Sequence, residues 1–212
     1  RALVLKPAIL LLDEPLSNLD ATLRQQMRDL IQTIQAETGI TTLFVTHDQS
    51  EALMLSHRVC LLLDGRLRQV GRPHQLFYRP ADPEVARFFG GANFFEGQVR
   101  GGRFESPFAS VDADTGQPHD AVTATIRPED IRISHNGNGN GNGHANGDAA
   151  VLGRVRKTSF EGIATRIWVT CDQQEFVILT PDTGYSAGDE VHLELPADKL
   201  RLFLPQTLGL DK

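Results

Sequence analysis

Leu10–Asp20 reads LLLDEPLSNLD. The apolar run Ile9–Leu12 passes directly into Asp13 and Glu14, and Pro15 then stops it. A continuous apolar run that is polar only at its end suits a strand of a parallel sheet covered on both faces. Such a strand delivers its terminal carboxylates to the carboxyl edge of the sheet, where open α/β sheets bind ligands. At that edge Asp13 can hold a hydrated Mg²⁺ that bridges nucleotide phosphates. Glu14 can orient and polarise an attacking water. Two adjacent acids on a covered strand need such a reason, because desolvating a carboxylate is costly.

Downstream, Asp20 is an N-cap for a helix over Ala21–Thr38. Leu23, Met27, Leu30, Ile31 and Ile34 recur there at helical spacing, and Gly39 ends the helix. Thr41–Thr46 is β-branched and apolar, which predicts a second covered strand with His47 directly after it. A right-handed crossover puts both strand ends on one edge, within reach of a phosphate or the attacking water. Alone, His47 reads as a turn or capping residue before a helix; its spacing behind LLLDEP favours the chemical role. Asp48 caps the next short helix, and Glu51 completes a capping-box pattern. Val59–Leu63 and Leu67–Val70 flank Asp64-Gly65, a hairpin signal. Short helices are predicted near Pro73–Tyr78 and Pro83–Phe89.

Gly90-Gly91 marks the expected domain boundary, with domains at 1–91 and 92–212. Beyond it short strands are predicted at Gly97–Val99, Val122–Arg127, Ile131–Ser134, Gly153–Ser159, Thr165–Thr170, Glu175–Thr180, Glu190–Glu194 and Leu200–Phe203. Regular short strands with turn residues between them suggest a small barrel or sandwich. Residues 136–147, mostly alternating Asn and Gly, have almost nothing to bury and are expected to be a disordered loop.

Composition sets the outer bounds. The 212 residues are 40% hydrophobic and 23% charged, ordinary for globular domains. No apolar run approaches the roughly 18–20 residues that span a bilayer. The net charge of −6 falls wholly after Phe95. With no basic stripe, nucleic acid is excluded as an expected partner. Cys60 and Cys171 are far apart and in apolar contexts; both are expected to be buried small hydrophobes.

LLLDEPLSNLDATLRQQMR, TTLFVTHDQSEAL and LLLDGRLRQVG, in this order, resemble the latter half of an ABC-transporter ATPase domain. The resemblance covers about residues 1–91. It implies that Asp13 is the Walker B aspartate, a Mg²⁺ holder acting through water, and that Glu14 is the catalytic glutamate. His47 would be the switch histidine that senses the terminal phosphate. Ser17 and Asp20 would lie in the D-loop, at the interface with a second ATPase subunit in a head-to-tail homodimer. LFYRPADPEVARFFG, IRPEDIRIS, GDEVHLEL and DKLRLF are similar to the continuation of importers of the maltose, polyamine, iron and sulfate type. In these an OB-like accessory domain called TOBE follows the ATPase domain, and it tends to be regulatory or to bind small oxyanions. The fold class implied is α/β: an incomplete P-loop NTPase domain followed by a small all-β barrel. The function implied is ATP binding and hydrolysis, with Mg²⁺, energising solute uptake. It would occur at the cytoplasmic face of the membrane, peripherally, beside transmembrane permease subunits and indirectly with a solute-binding protein.

None of the 212 residues forms GxxxxGK[ST], whose amides and Lys cradle phosphates. The Q-loop and LSGGQ-type signature are likewise not found. Arg1–Lys6 resembles a helix end stopped at Pro7, so the chain is expected to be a fragment, inactive alone. Without the phosphate-cradle strand, the apolar faces of Ile9–Leu12 and Leu43–Val45 are expected to be uncovered and prone to aggregate. Two other readings compete. One is a stand-alone regulatory or small-ligand-binding TOBE module without ATPase activity. The other is a chromosome or DNA-repair ATPase, disfavoured because heptads and Cys pairs are lacking.

Overall fold

The computed structural model describes residues 7–113, 115–135 and 150–205. The chain divides into two compact units, Arg1–Phe89 and Gly90–Lys212. The helix end expected before Pro7 and the Asn/Gly run at 136–147 lie outside the described residues. No helix among the described residues is long and apolar enough to cross a membrane.

In the first unit, strand β1 (Ile9–Asp13) pairs in parallel with β2 (Thr41–Val45), Ile9 opposite Thr41 and Asp13 opposite Val45. Helix α1 (Ala21–Thr38) connects them. Both of its ends are set by local chemistry. The Asp20 side chain accepts from the Leu23 N–H at 2.9 Å, and Gly39 closes the last turn at φ 62°, where its N–H reaches the Gln35 carbonyl. The expectation of strands covered on both faces is corrected. Leu10, Leu12, Thr42 and Phe44 are half-buried, whereas Ile9, Leu11, Leu43 and Val45 are 50–70% exposed. Alternate residues of a strand point to opposite faces, so one apolar face of this sheet stands open. Asp13 and Glu14 are exposed as well.

The rest of the unit packs around a small core of Val59, Leu61, Leu76, Val85 and Phe89. Strands β3 (Val59–Leu63) and β4 (Arg66–Gly71) form the hairpin. Asp64 and Gly65 turn it with φ of 51° and 71°, the pair of positive values that a two-residue primed turn demands. Helices α2 (Gln49–Leu55), α3 (Pro73–Tyr78) and α4 (Pro83–Phe88) surround it. Proline opens α3 and α4, where the missing N–H costs nothing. Cys60, expected to be buried, is exposed: it lies between Val59 and Leu61, which both face the core, so the two-residue period turns it outward.

The second unit is all β. Strands β5 (Asn93–Arg100), β6 (Arg103–Glu105), β7 (Ser110–Asp112), β8 (His119–Ile126) and β9 (Arg132–Ser134) are followed by β10 (Ala150–Phe160), β11 (Thr165–Cys171), β12 (Gln174–Thr180), β13 (Glu190–Glu194) and β14 (Arg201–Phe203). They form two five-stranded antiparallel sheets, ordered β12-β11-β10-β13-β9 and β14-β8-β5-β6-β7. In β11, Thr165, Ile167, Val169 and Cys171 are buried while the residues between them are half-exposed, which is the period of a strand with one face on a core. Phe95, Phe108 and Phe176 pack together, with Phe108 edge-on to Phe95 at 5.7 Å and to Phe176 at 5.2 Å. Asn93, fully buried, ties the sheets together: its Nδ2 donates to the Val177 carbonyl at 2.8 Å and its Oδ1 accepts from the Val177 N–H at 2.6 Å. One carboxamide thereby satisfies both main-chain groups of a residue in the other sheet. Strands β6 and β7 were not anticipated. At three residues each, RFE and SVD are too short to display a period.

Candidate functional site

The parallel pairing of β1 and β2 ends both strands at one edge, and the Glu14 N–H extends it by donating to the Val45 carbonyl at 2.8 Å. Glu14 and His47, thirty-three residues apart in the chain, meet there. His47 Nδ1 lies 3.1 Å from Glu14 Oε1. The two side chains are 74% and 48% exposed, and ion pairs so exposed contribute only about 0–1 kcal/mol to stability. Folding stability therefore gives little reason for the pair.

Glu14 also adopts φ 42°. That left-handed conformation costs an L-residue with a Cβ about 1–2 kcal/mol, and such strain gathers where a side chain must be aimed. The turn after it is closed by Ser17, whose N–H and Oγ both donate to the Glu14 carbonyl, at 3.3 and 3.0 Å. Leu16 beneath it is fully buried. Ser17 thus holds the backbone of Glu14, with its own side chain turned back on the turn.

Asp13, the last residue of β1, is exposed, and its carboxylate makes no hydrogen bond or ion pair among the described residues. An uncommitted, acceptor-only carboxylate beside the pair suits a hydrated Mg²⁺, which binds through one or two carboxylates plus substrate phosphates. No cluster of three or more metal-binding side chains occurs among the described residues. Asp20 is spent differently from the other candidates. It caps α1 and makes no contact with Glu14 or His47 among the described residues.

The sequence reading missed the residues behind His47. Thr46 Oγ1 accepts from the Asp48 N–H at 3.0 Å and donates to Glu51 Oε2 at 2.6 Å. Glu51 was expected to complete a capping box on the Asp48 N–H. It does not, because the Thr46 hydroxyl holds that N–H and Glu51 turns inward, 3% exposed, to Thr46 and Arg28. Asp48 caps α2 as expected, accepting from the Ser50 and Glu51 N–H groups at 2.8 and 3.2 Å. The available signal was Arg24 and Arg28, four apart on α1, on a helix face that needed acidic partners.

The second unit holds an open depression of about 420 Å³ lined by Glu96, Gly97, Gln98, Glu105, Ser106, Pro107 and Asp120. Glu96 accepts from Thr123 Oγ1 at 2.8 Å, and Asp120 faces Arg100 at 3.5 Å. Three carboxylates line this depression, a setting that repels anions.

A family model described as TOBE domain matches residues 124–203. The chain is 36% identical over 217 aligned residues to a xylose/arabinose import ATP-binding protein of Haloferax volcanii, covering 98% of this chain and 55% of that protein. It is 45% identical over 137 residues to a sulfate/thiosulfate import ATP-binding protein of Caulobacter vibrioides, covering 65% and 40%. It is 38% identical over 186 residues to a spermidine/putrescine import ATP-binding protein of Aster yellows witches'-broom phytoplasma, covering 86% and 42%. The chain spans about half the length of the curated relatives it matches.

Proposed function

By homology the chain belongs with the ATP-binding subunits of ABC importers, and from that premise we propose that its first unit supplies part of an ATP-hydrolysing site that energises solute uptake. The observation that carries this reading is the contact of Glu14 with His47 at the carboxyl edge of β1 and β2. Glu14 accepts a proton from water as the water oxygen attacks the terminal phosphorus and the bond to the departing ADP oxygen breaks. His47 is held by Glu14 through Nδ1, with Nε2 turned to no protein partner among the described residues and open to a terminal phosphate oxygen. Asp13 would hold Mg²⁺ through water; bound there, the ion neutralises phosphate charge. Ser17 keeps Glu14 in its strained conformation.

On this reading residues 1–91 are the C-terminal part of the ATPase domain, and residues 92–212 are the accessory domain. The D-loop residues Ser17 and Asp20 face a second ATPase subunit, head to tail. The assembly sits at the cytoplasmic face of the membrane against permease subunits, which receive solute from a solute-binding protein. The relatives are named for import of sugars, sulfate and polyamines. Such unrelated solutes share no recognition chemistry, which supports a role in energy coupling and not in solute choice. The test uses the complete subunit carrying these residues. Glu14→Gln is expected to lower ATP turnover at least ~100-fold, a loss of ~2.7 kcal/mol in transition-state stabilisation, while radiolabelled ATP still binds. Turnover within twofold of the parent would refute the assignment of Glu14.

A further inference from the structure

His47 is exposed, and its ring has one protein partner among the described residues, so its aim at Glu14 depends on its backbone. The residues on either side of it are bound far more firmly than a surface turn requires. The Thr46 hydroxyl has one proton to give and gives it to the buried Glu51 carboxylate at 2.6 Å. The carboxylate oxygen accepts, so this bond fixes the direction of the hydroxyl. The hydroxyl oxygen is then left to accept from the Asp48 N–H at 3.0 Å, bridging the turn across His47. Arg28, 13% exposed, stands 3.7 Å from Glu51 Oε1 and also donates to Asp48 Oδ2 at 3.4 Å; Arg24 stands 3.9 Å from the same oxygen. Both arginines belong to α1, the helix that begins seven residues after Glu14. The loops that carry Glu14 and His47 are therefore referred to one rigid element.

We infer that Thr46, Glu51 and Arg28 are positioning residues for ATP hydrolysis: they orient the His47 turn toward Glu14 by a partly buried hydrogen bond and ion pair anchored on α1. This rests on the reading of Glu14 and His47 given above. It requires the Thr46 hydroxyl and not merely its volume, and it requires both oxygens of the Glu51 carboxylate, Oε2 on Thr46 and Oε1 facing Arg28. A residue needed only for packing has neither requirement.

The experiment measures steady-state ATP hydrolysis and melting temperature of the complete subunit in its transporter. Thr46→Val preserves shape and removes the hydroxyl. It is expected to lower kcat about tenfold with KM for ATP within twofold. Thr46→Ser restores the hydroxyl and is expected to return kcat to within twofold of the parent. Glu51→Gln, which keeps the volume of the buried side chain, is expected to lower kcat likewise, so the test survives if Thr46→Val fails to fold. An unchanged kcat in both Thr46→Val and Glu51→Gln, or a Thr46→Ser variant as impaired as Thr46→Val, would overturn the inference. Glu14→Gln in the same assay separates the two readings. If it stops turnover while Thr46→Val does not slow it, this inference alone fails; if it leaves turnover intact, the underlying assignment fails with it.

Discussion

Cys60 and Cys171 look alike in the sequence, each within an apolar strand, yet they lie on opposite sides of the two-residue period. Cys171 shares the inward face of β11 with Ile167 and Val169. Burial, reinforced by the charge of Asp172, pushes its thiol up to about 11. Cys60 is exposed on β3. At pH 8 a maleimide reagent is expected to label Cys60 in the folded chain and to leave Cys171 unmodified until denaturant is added; mass spectrometry of the labelled peptides decides it. The sign of the pH dependence follows from the same shift. The native thiol keeps its proton to higher pH than the unfolded one, so stability falls as pH climbs from the ordinary thiol range toward 11. Glu51 teaches the same lesson as Cys60. Its position three residues after Asp48 is legible, but which neighbour its carboxylate meets depends on where α1 brings Arg28.

At the scale of elements, α1 is the part most fully written in local sequence. An Asp, an apolar stripe and a Gly mark its start, its face and its end, and the helix runs over the range those signals delimit. Because its N-cap is a single side chain with a 2.9 Å bond, Asp20→Ala is expected to destabilise the first unit by about 1 kcal/mol, and Asp20→Asn by much less. Urea melts of the 212-residue chain followed by helical circular dichroism read the difference; equal midpoints for Asp20→Ala and the parent would show that the cap contributes nothing. Short strands behave oppositely. β6 and β7 exist because β5 offers an edge with which RFE can pair, and SVD then pairs with RFE. Neither has enough residues to announce itself.

For the molecule as a whole, the two units differ in how completely they close their own cores. The second buries an aromatic centre between two sheets and satisfies Val177 across them through Asn93. The first leaves Ile9, Leu11, Leu43 and Val45 open on one sheet face. Expressed separately, residues 90–212 are expected to unfold in one cooperative transition with little binding of a hydrophobic dye. Residues 1–89 are expected to bind the dye strongly and to aggregate. Dye fluorescence and light scattering of the two pieces test this, and a dye-silent, monomeric 1–89 would contradict it.

The sequence by itself determined most of the helices, strands and turns, β6 and β7 excepted, because caps, periodicity and Asp-Gly act within a few residues. It also identified Asp13, Glu14 and His47 as candidates, because carboxylates and a histidine directly after apolar runs mark strand ends. Tertiary structure alone decided which side chains meet. The 3.1 Å contact of Glu14 with His47, the turning of Glu51 to Thr46 and Arg28, and the bidentate grip of Asn93 on Val177 all join residues that only packing brings together. Exposure of the β1–β2 face belongs to the same class: a strand's apolar residues state that a cover is suitable, and only the packed chain shows whether one is there.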